Sequence, residues 1–351
     1  MASEAERGAM RRALELAARG AATVRPNPVV GAVVLDGDGR VVGEGWHERA
    51  GQPHAEVHAL RAAGERARGA TVVVTLEPCD TTGRTGPCTT ALLQAGVRRV
   101  VYAVDDPTSA GGGAARLRAA GVQVEGRVLT AEAERVAERW LTVVRAGRPH
   151  VTWKYAATLD GRVAAADGSS RWITGQQARA DVHELRAGVD AILVGVGTVL
   201  VDDPHLTARS PDGALLPLQP LRVVADTQGR TPATARVRDG AAPTWVATAA
   251  ELGRGLDGRL DLEALLKELL ARDVRSVLVE GGPTLAASLL RAGLVDRVVA
   301  YVAPALLGAG PAALGDVGIG TIAAALRLDL DDVTPIGADL RLSARVTRAR
   351  S

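Results

Sequence analysis

Between residues 54 and 88 the chain sets an imidazole, a carboxylate two residues after it, and two thiols in an order that suits one metal ion. They lie in His54-Ala55-Glu56, in an apolar run ending Leu76-Glu77-Pro78-Cys79, and in Cys88 after the turn-rich stretch Asp80 to Pro87. Few patterns restrict a fold more, because side chains distant in sequence must converge to within reach of one metal ion. Two Cys and one His leave the fourth tetrahedral position of a zinc ion open, as a catalytic site requires. Glu56 is not needed as a ligand and is then the proton carrier. A closed structural site would recruit His47, or His58 one helical turn after His54, and would leave Glu56 without a task. A third reading makes both thiols small buried core residues.

With 351 residues the chain is long enough for two ordinary domains. Hydrophobic residues make up 47%, charged residues 23%, and no apolar run reaches transmembrane length, so a soluble globular protein without membrane contact is expected. Phe is absent and aromatics are only 2%, so cores must be built from Val, Leu, Ile and Ala, and platforms for stacking nucleobases are scarce. The 42 basic and 40 acidic residues nearly cancel to +2, with Arg scattered rather than clustered. Both features argue against a nucleic-acid partner and favour a small anionic substrate. Both cysteines are claimed by the metal pattern, which leaves no disulfide framework and suggests a reducing compartment. The first 20 residues carry Glu4, Glu6, Arg7, Arg11 and Arg12 with no apolar core of a secretory signal, so a cytoplasmic location is expected.

Met10, Ala13, Leu14 and Ala17 recur at helical spacing before Gly20. The runs 29–35 and 41–46 flank Asp36-Gly37-Asp38-Gly39, a hairpin signal. Pro53 pre-sets a helix start, which puts His54 and Glu56 in the first turn of a helix extending to about Ala67. Strands are expected at 70–76, 99–104 and 122–125, helices at 89–95 and 114–120, and one long helix at 130–145. Strand and helix alternating with Gly-stopped connections indicate a layered α/β domain. The polar stretch Arg145 to His150, with Gly147 and Pro149, marks the boundary. Beyond it, strands are expected at 151–156, 191–196, 221–225, 276–280 and 297–303, and helices at 176–187, 262–271 and 284–292. Glu280-Gly281-Gly282-Pro283-Thr284 joins a strand to a helix, where backbone amides at a helix N-terminus can meet a phosphate. Gly195-Val196-Gly197-Thr198 is a weaker instance.

The His-x-Glu, Pro-Cys and Cys order matches the nucleoside and nucleobase deaminase signature, except that eight residues rather than two separate the cysteines. With Asn27-Pro28 ahead of it, the block resembles the deaminase half of the bifunctional riboflavin-biosynthesis deaminase/reductases. In order, Lys154, Leu159-Asp160-Gly161, Trp172-Ile173-Thr174, Thr198, Asp202-Asp203-Pro204, Leu206, Arg209, Asp226, Glu280-Gly281-Gly282 and Ala303-Pro304 resemble the reductase half of the same family. Together the two resemblances imply a cytidine-deaminase-like α/β domain over residues 1–146 and a dihydrofolate-reductase-like domain over 147–351.

The resemblance implies zinc on His54, Cys79 and Cys88, Glu56 as proton shuttle, and Asn27 facing the pyrimidine. In the second domain it implies NADPH against Ala156, Trp172, Thr198, Asp202, Thr227, Gly282, Pro283, Thr284, Leu285, Ala286, Ala287 and Ser288. Substrate contacts would come from Ser170, Arg186, Leu206, Arg209 and Glu280, with Lys154 catalytic. Arg186 and Arg209 suit a phosphate, since a planar guanidinium can pair its oxygens bidentately. The implied reactions are removal of the 2-amino group of a phosphorylated diaminopyrimidine riboside and NADPH reduction of its ribosyl group, in a homo-oligomer. The sequence departs from the family at Asp80-Thr81, where Ser-His or Ala-His is usual. It departs again at Thr108, where Asn is usual, and around Val136-Ala137-Glu138, where a late Asn is missing. These departures keep open a paralogue acting on a related aminopyrimidine ribotide, or a reductase whose zinc domain is inactive or structural.

Overall fold

The computed structural model describes residues 1–83 and 85–347. Arg84, in the insert between the cysteines, and residues 348–351, in the predicted second domain, lie outside them. The chain divides into two compact units, Met1–Gly147 and Arg148–Ser351.

The first unit opens with α1 (Glu4–Arg19), started by a reciprocal capping box: Glu6 N donates to Ser3 Oγ and Ser3 N to Glu6 Oε2. Its buried face holds Met10, Ala13, Leu14 and Ala17, the residues spaced for it in the sequence. β1 (Gly31–Leu35) and β2 (Val41–Trp46) form the expected hairpin. β3 (Thr71–Leu76), β4 (Arg99–Val104) and β5 (Gln123–Glu125) complete a sheet in the order β2-β1-β3-β4-β5, with β3, β4 and β5 parallel. The three central strands are almost wholly buried Val, Ala and Leu, as a sheet covered on both faces requires.

Helix α2 (Ala55–Ala63) lies directly on β2. A Cβ on Gly45 would stand 2.5 Å from Ala59 N and 2.6 Å from His58 Cβ, so only glycine lets the helix come this close. Two expectations need correction here. The helix expected to reach Ala67 ends at Ala63; Gly64 takes φ +58° and a 3₁₀ turn follows to Ala67. The single helix expected over 130–145 is α5 (Thr130–Val136) and α6 (Glu138–Ala146), because the backbone opens at Ala137 to φ −95°, ψ 9°. The Ala137 N to Ala133 O and Leu141 N to Ala137 O bonds survive the break, so no Gly or Pro was needed to make it. Short helices α3 (Cys88–Gln94) and α4 (Gly113–Ala119) fill the remaining connections.

The second unit is built on an eight-stranded sheet. Its strands are β6 (His150–Thr158), β7 (Ala191–Gly195), β8 (Leu221–Ala225), β9 (Thr244–Ala247), β10 (Ser276–Val279), β11 (Arg297–Ala303), β12 (Leu328–Ile336) and β13 (Asp339–Val346). The order is β12-β13-β11-β6-β10-β7-β8-β9. All pairs from β11 to β9 are parallel, and β13 and β12 add an antiparallel edge. Helices α7 (Gln176–Ala187), α8 (Val196–Asp202), α9 (Ala249–Leu252), α10 (Leu262–Ala271) and α11 (Pro283–Arg291) connect them. Leu265, Leu266 and Leu269 of α10 and Ala286 and Leu289 of α11 are fully buried against the sheet. β9, β12 and β13 were not expected. β12 is an outer strand, mostly exposed and carrying Asp329, Asp331, Asp332 and Pro335, a composition that belongs at a sheet edge and hides the strand from a search for apolar runs.

Candidate active sites

Around the first site, each side chain occupies the end of an element. His54 is the N-cap of α2, extended at φ −75°, ψ 167°, and Glu56 follows in the helix's first turn. Cys79 comes three residues after the end of β3, and Cys88 is the first residue of α3. Three connections at one end of the sheet thus bring the three groups together. His54 Nδ1 lies 3.2 Å from Cys88 Sγ and 3.5 Å from Cys79 Sγ, and all three ligand atoms fall within 4.8 Å of one another. A tetrahedral zinc with bonds of about 2.0 Å to nitrogen and 2.3 Å to sulfur holds such atoms about 3.5 Å apart. The residues therefore fit the ion. Among the described residues no fourth ligand joins them. His47 is committed to Pro53 O and Asn27, and His58 is not in the group whose ligand atoms lie within 4.8 Å of one another, so neither candidate closes the site.

Hydrogen bonds from Cys88 and His54 hold the Cys79 thiol down at about 4, and Cys88 rises because its proton is shared with Cys79 and because it is buried. One of the two thiols is thus poised to ligate as thiolate. Burial pushes the Glu56 carboxyl above the usual carboxylate range, although the His54 charge opposes it. A buried carboxylate with a raised pKa, two residues after a ligand of the metal cluster, suits an acid/base shuttle. Thr85 Oγ1 stands 3.4 Å from His54 Nε2, where it can accept that N–H and leave Nδ1 free for the metal.

These groups open onto a cavity of about 480 Å³ lined also by Asn27, His47, Thr81, Asp106, Thr108 and Trp140. His47 Nδ1 is 3.2 Å from Pro53 O, which can only accept, so Nε2 is left to accept from Asn27 Nδ2 at 3.2 Å. That pair turns the amide oxygen of Asn27 away from His47. Sequence reasoning considered His47 only as a fourth ligand of a closed site, and missed Thr85 and Trp140, neither of which sits in a spaced motif. Of the departures, Asp80 binds Arg116 and Thr89 Oγ1, and Thr108 Oγ1 binds Asp106.

In the second unit, the ends of parallel strands define the site. Lys154 on β6, Arg186 on α7 and Glu280 after β10 form a buried charge cluster. Arg186 Nε and Nη2 bind the Glu280 carboxylate at 2.6 and 3.0 Å, and Lys154 Nζ is 3.7 Å from it. Burial raises the Glu280 carboxyl, but Arg186 and Lys154 outweigh it and hold it at about 2. Burial also lowers the Lys154 ammonium, only partly offset by Glu280. Arg186 has spent its fork on Glu280, with Nη1 on Thr207 O; Arg209 bonds Thr207 Oγ1 and Gly213 O. The two arginines therefore meet at Thr207.

Gly282 caps α11, and a Cβ there would meet only Thr198 Oγ1, at 3.8 Å, which leaves the approach to the helix's first amides open. Pro283 has no amide hydrogen and Ala286 N is already bonded to Gly282 O, so Thr284 and Leu285 carry the amides free for a phosphate. Ala286 and Ala287 point into the core, as does Leu206, which a substrate can meet only through its backbone. Trp172 is 70% exposed, packed under the Arg179 guanidinium. Arg171, next to it, donates to Asp202 O. Thr227, Thr284, Leu285 and Ser288 line a cavity of about 1060 Å³. A strand end presenting open amides and hydroxyls fits a dinucleotide. Ala156 lies on β6 opposite Tyr301, and Ser170 sits half-buried before α7.

Comparisons with known proteins agree with a chain of two different domains. Residues 3–104 match the family described as the cytidine and deoxycytidylate deaminase zinc-binding region, and residues 149–342 match the RibD C-terminal domain. Riboflavin biosynthesis protein RibD of Mycobacterium tuberculosis is 52% identical over 92% of this chain and 91% of its own. RibD of Escherichia coli is 45% identical over 95% and 97%. The structure of Acinetobacter baumannii RibD superposes with a TM-score of 0.81 at 40% identity, covering 98% of this chain and 99% of that one. A Thermotoga maritima deaminase/reductase gives 0.81 at 35% identity over the same shares. Fold and sites define a zinc-dependent deaminase and an NADPH-dependent reductase carried on one chain. The chain belongs to the RibD family of bifunctional riboflavin-biosynthesis enzymes.

Proposed function

We propose that residues 1–146 deaminate 2,5-diamino-6-(5-phosphoribosylamino)pyrimidin-4-one, and that residues 147–351 reduce the ribosyl group of the deaminated product to ribityl. The diaminohydroxyphosphoribosylaminopyrimidine deaminase/5-amino-6-(5-phosphoribosylamino)uracil reductase title of the Thermotoga relative names this substrate pair for that protein. The observation that carries the reading is the His54, Cys79 and Cys88 triad with buried Glu56 beside it.

Zinc held by His54, Cys79 and Cys88 supplies Lewis-acid activation of water. Glu56 would take a proton of that water as the water oxygen bonds to the ring carbon bearing the 2-amino group, and pass it to that amino group, which leaves as ammonia as the carbon–nitrogen bond breaks. Asn27, its oxygen turned away from His47, accepts from a donor edge of the pyrimidine. In the second unit, NADPH supplies the hydride, and the open-chain imine carbon of the ribosyl group is its acceptor. Lys154, its ammonium already destabilised by burial, supplies a proton as the sugar ring opens. Glu280 holds Lys154 and Arg186 in place and, with Ser170, Arg209 and the backbone of Leu206, positions the substrate. Thr198, Asp202, Trp172, Ala156, Thr227 and the segment from Gly282 to Ser288 hold the cofactor.

Among the described residues no helix is long and apolar enough to cross a membrane. A cytoplasmic homo-oligomer is the form we expect for a biosynthetic enzyme with exposed Leu328, Leu330 and Val333 on its outermost strand. The test is to supply the diaminopyrimidine ribotide with NADPH and measure ammonia release and NADPH oxidation. Turnover of a different aminopyrimidine ribotide in its place would transfer the assignment to that substrate.

A further inference from the structure

The cavity lined by the ends of β7 and β8 and by α11 holds more positive charge than the dinucleotide-contacting residues account for. Arg230, Arg254, Arg259 and Arg291 all line it. Two are committed within the protein: Arg254 bonds Gly258 O, and Arg291 bonds Ser288 Oγ and Asp316 O and lies 3.7 Å from Asp257. Arg230 and Arg259 have no side-chain partner among the described residues. Arg230 stands three residues after Thr227, on the loop that leaves β8.

In doubly wound dinucleotide folds a strand-end loop of this kind reads the adenosine ribose, and the loop after β8 lines this cavity. A carboxylate there takes the 2′-hydroxyl of NADH, and an arginine accommodates the 2′-phosphate of NADPH. The carboxylate expected of an NADH site is present, as Asp226, but it is unusable. It is fully buried, and its Oδ2 accepts from Thr231 N at 2.7 Å and Thr231 Oγ1 at 2.8 Å, which closes the loop back on itself. Of the other acidic side chains lining the cavity, Glu263 stands exposed in the first turn of α10, and the remaining two are engaged within the protein. Asp261 is spent capping α10, and Asp257 is bonded to Ser288 and paired with Arg291. Thr227 Oγ1 accepts from Leu260 N at 3.0 Å, which folds the 253–260 segment against this loop and makes the pocket wall continuous.

We infer that Arg230 is the residue that selects NADPH over NADH, by pairing its guanidinium with the 2′-phosphate beside Thr227. Asp226 acts on selectivity through Arg230, holding the loop that carries it. The inference rests on the NADPH reading of this cavity, and the experiment separates the two.

Dissociation constants of NADPH, NADH and 2′,5′-ADP are measured by calorimetry on the zinc-loaded full chain, for the native protein, Arg230→Gln and Arg259→Gln. A bidentate arginine–phosphate contact is worth about 10- to 100-fold in affinity. Arg230→Gln weakens NADPH and 2′,5′-ADP by that factor and leaves NADH within about twofold, while Arg259→Gln changes none of them. If the native protein binds NADPH no better than NADH, the cofactor reading itself falls and the inference falls with it. If the native preference is present but survives in Arg230→Gln, or is lost in Arg259→Gln instead, the cofactor reading stands and Arg230 is not the selector.

Discussion

Replacing Glu280 by Gln tests whether the charge cluster of the reductase unit is held by one carboxylate. The glutamate is 9% exposed and faces Arg186, 16% exposed, and Lys154, 15% exposed. Its carboxyl titrates at about 2 rather than near 4.5, because the two cations outweigh the burial that would raise it. A difference of that size corresponds to about 3 kcal/mol of stability at neutral pH. Breaking a buried ion pair from one side costs about 3–5 kcal/mol, which agrees. The sign follows from the lowered pKa. The contribution is complete above the unfolded value near 4.5, is lost as pH falls toward 2, and is down to between about 1 and 2 kcal/mol at pH 3. Hydrogen exchange read on peptides from β6 and β10 measures this unit alone. Glu280→Gln lowers the opening free energy there by about 3 kcal/mol at pH 7, and the gap to the native protein narrows as the solution is acidified. A loss below about 1 kcal/mol, or one that stays constant down to pH 3, refutes the assignment of the cluster's stability to the Glu280 charge.

Three further outcomes concern the metal site. Cys88→Ser lowers bound zinc from one per chain toward none and abolishes ammonia release; full zinc occupancy by elemental analysis would remove Cys88 from the ligands. Glu56→Gln keeps its zinc but loses deamination by about 10²-fold or more, the scale of a missing general acid/base, and near-normal turnover would reduce Glu56 to a packing role. Thr85→Val removes the acceptor beside His54 Nε2 and weakens zinc about 10- to 100-fold in competition with a chelator, whereas Thr85→Ser restores it. Equal affinities in the two variants would show that Thr85 does not orient the imidazole.

What could be read from the chain alone follows a physical division. Arg99–Val104, Gln176–Ala187, Leu221–Ala225, Leu262–Ala271 and Arg297–Ala303 have the expected bounds, because burial dictates their apolar spacing and Gly or polar residues close several of them. The zinc triad was legible because metal ligands cannot be exchanged for other residue types without losing the ion. The break at Ala137 was not, since it leaves the helical hydrogen bonds on either side intact and needs no special residue. β12 escaped because its Leu328, Leu330 and Val333 are exposed and interleaved with aspartates, so no continuous apolar run reveals it. Pairings across the fold were equally silent: nothing in the spacing of Asn27 and His47, or of Arg186 and Glu280, 94 residues apart, announces that they meet. Arg186 was expected to pair a phosphate directly, whereas its fork is occupied by Glu280 and its bearing on the substrate passes through that carboxylate.

That two separate sites on one chain carry successive steps is tested by supplying each intermediate alone to two variants. Ammonia and NADPH are followed in parallel for Glu56→Gln and Lys154→Ala, each given first the diaminopyrimidine ribotide and then the deaminated ribosylaminouracil phosphate. Glu56→Gln should release no ammonia from the first compound yet oxidise NADPH with the second, and Lys154→Ala should release ammonia from the first and leave NADPH untouched with either. Loss of both activities in either soluble, zinc-loaded variant, or reduction that persists in Lys154→Ala, would contradict the assignment of the two steps to these two sites.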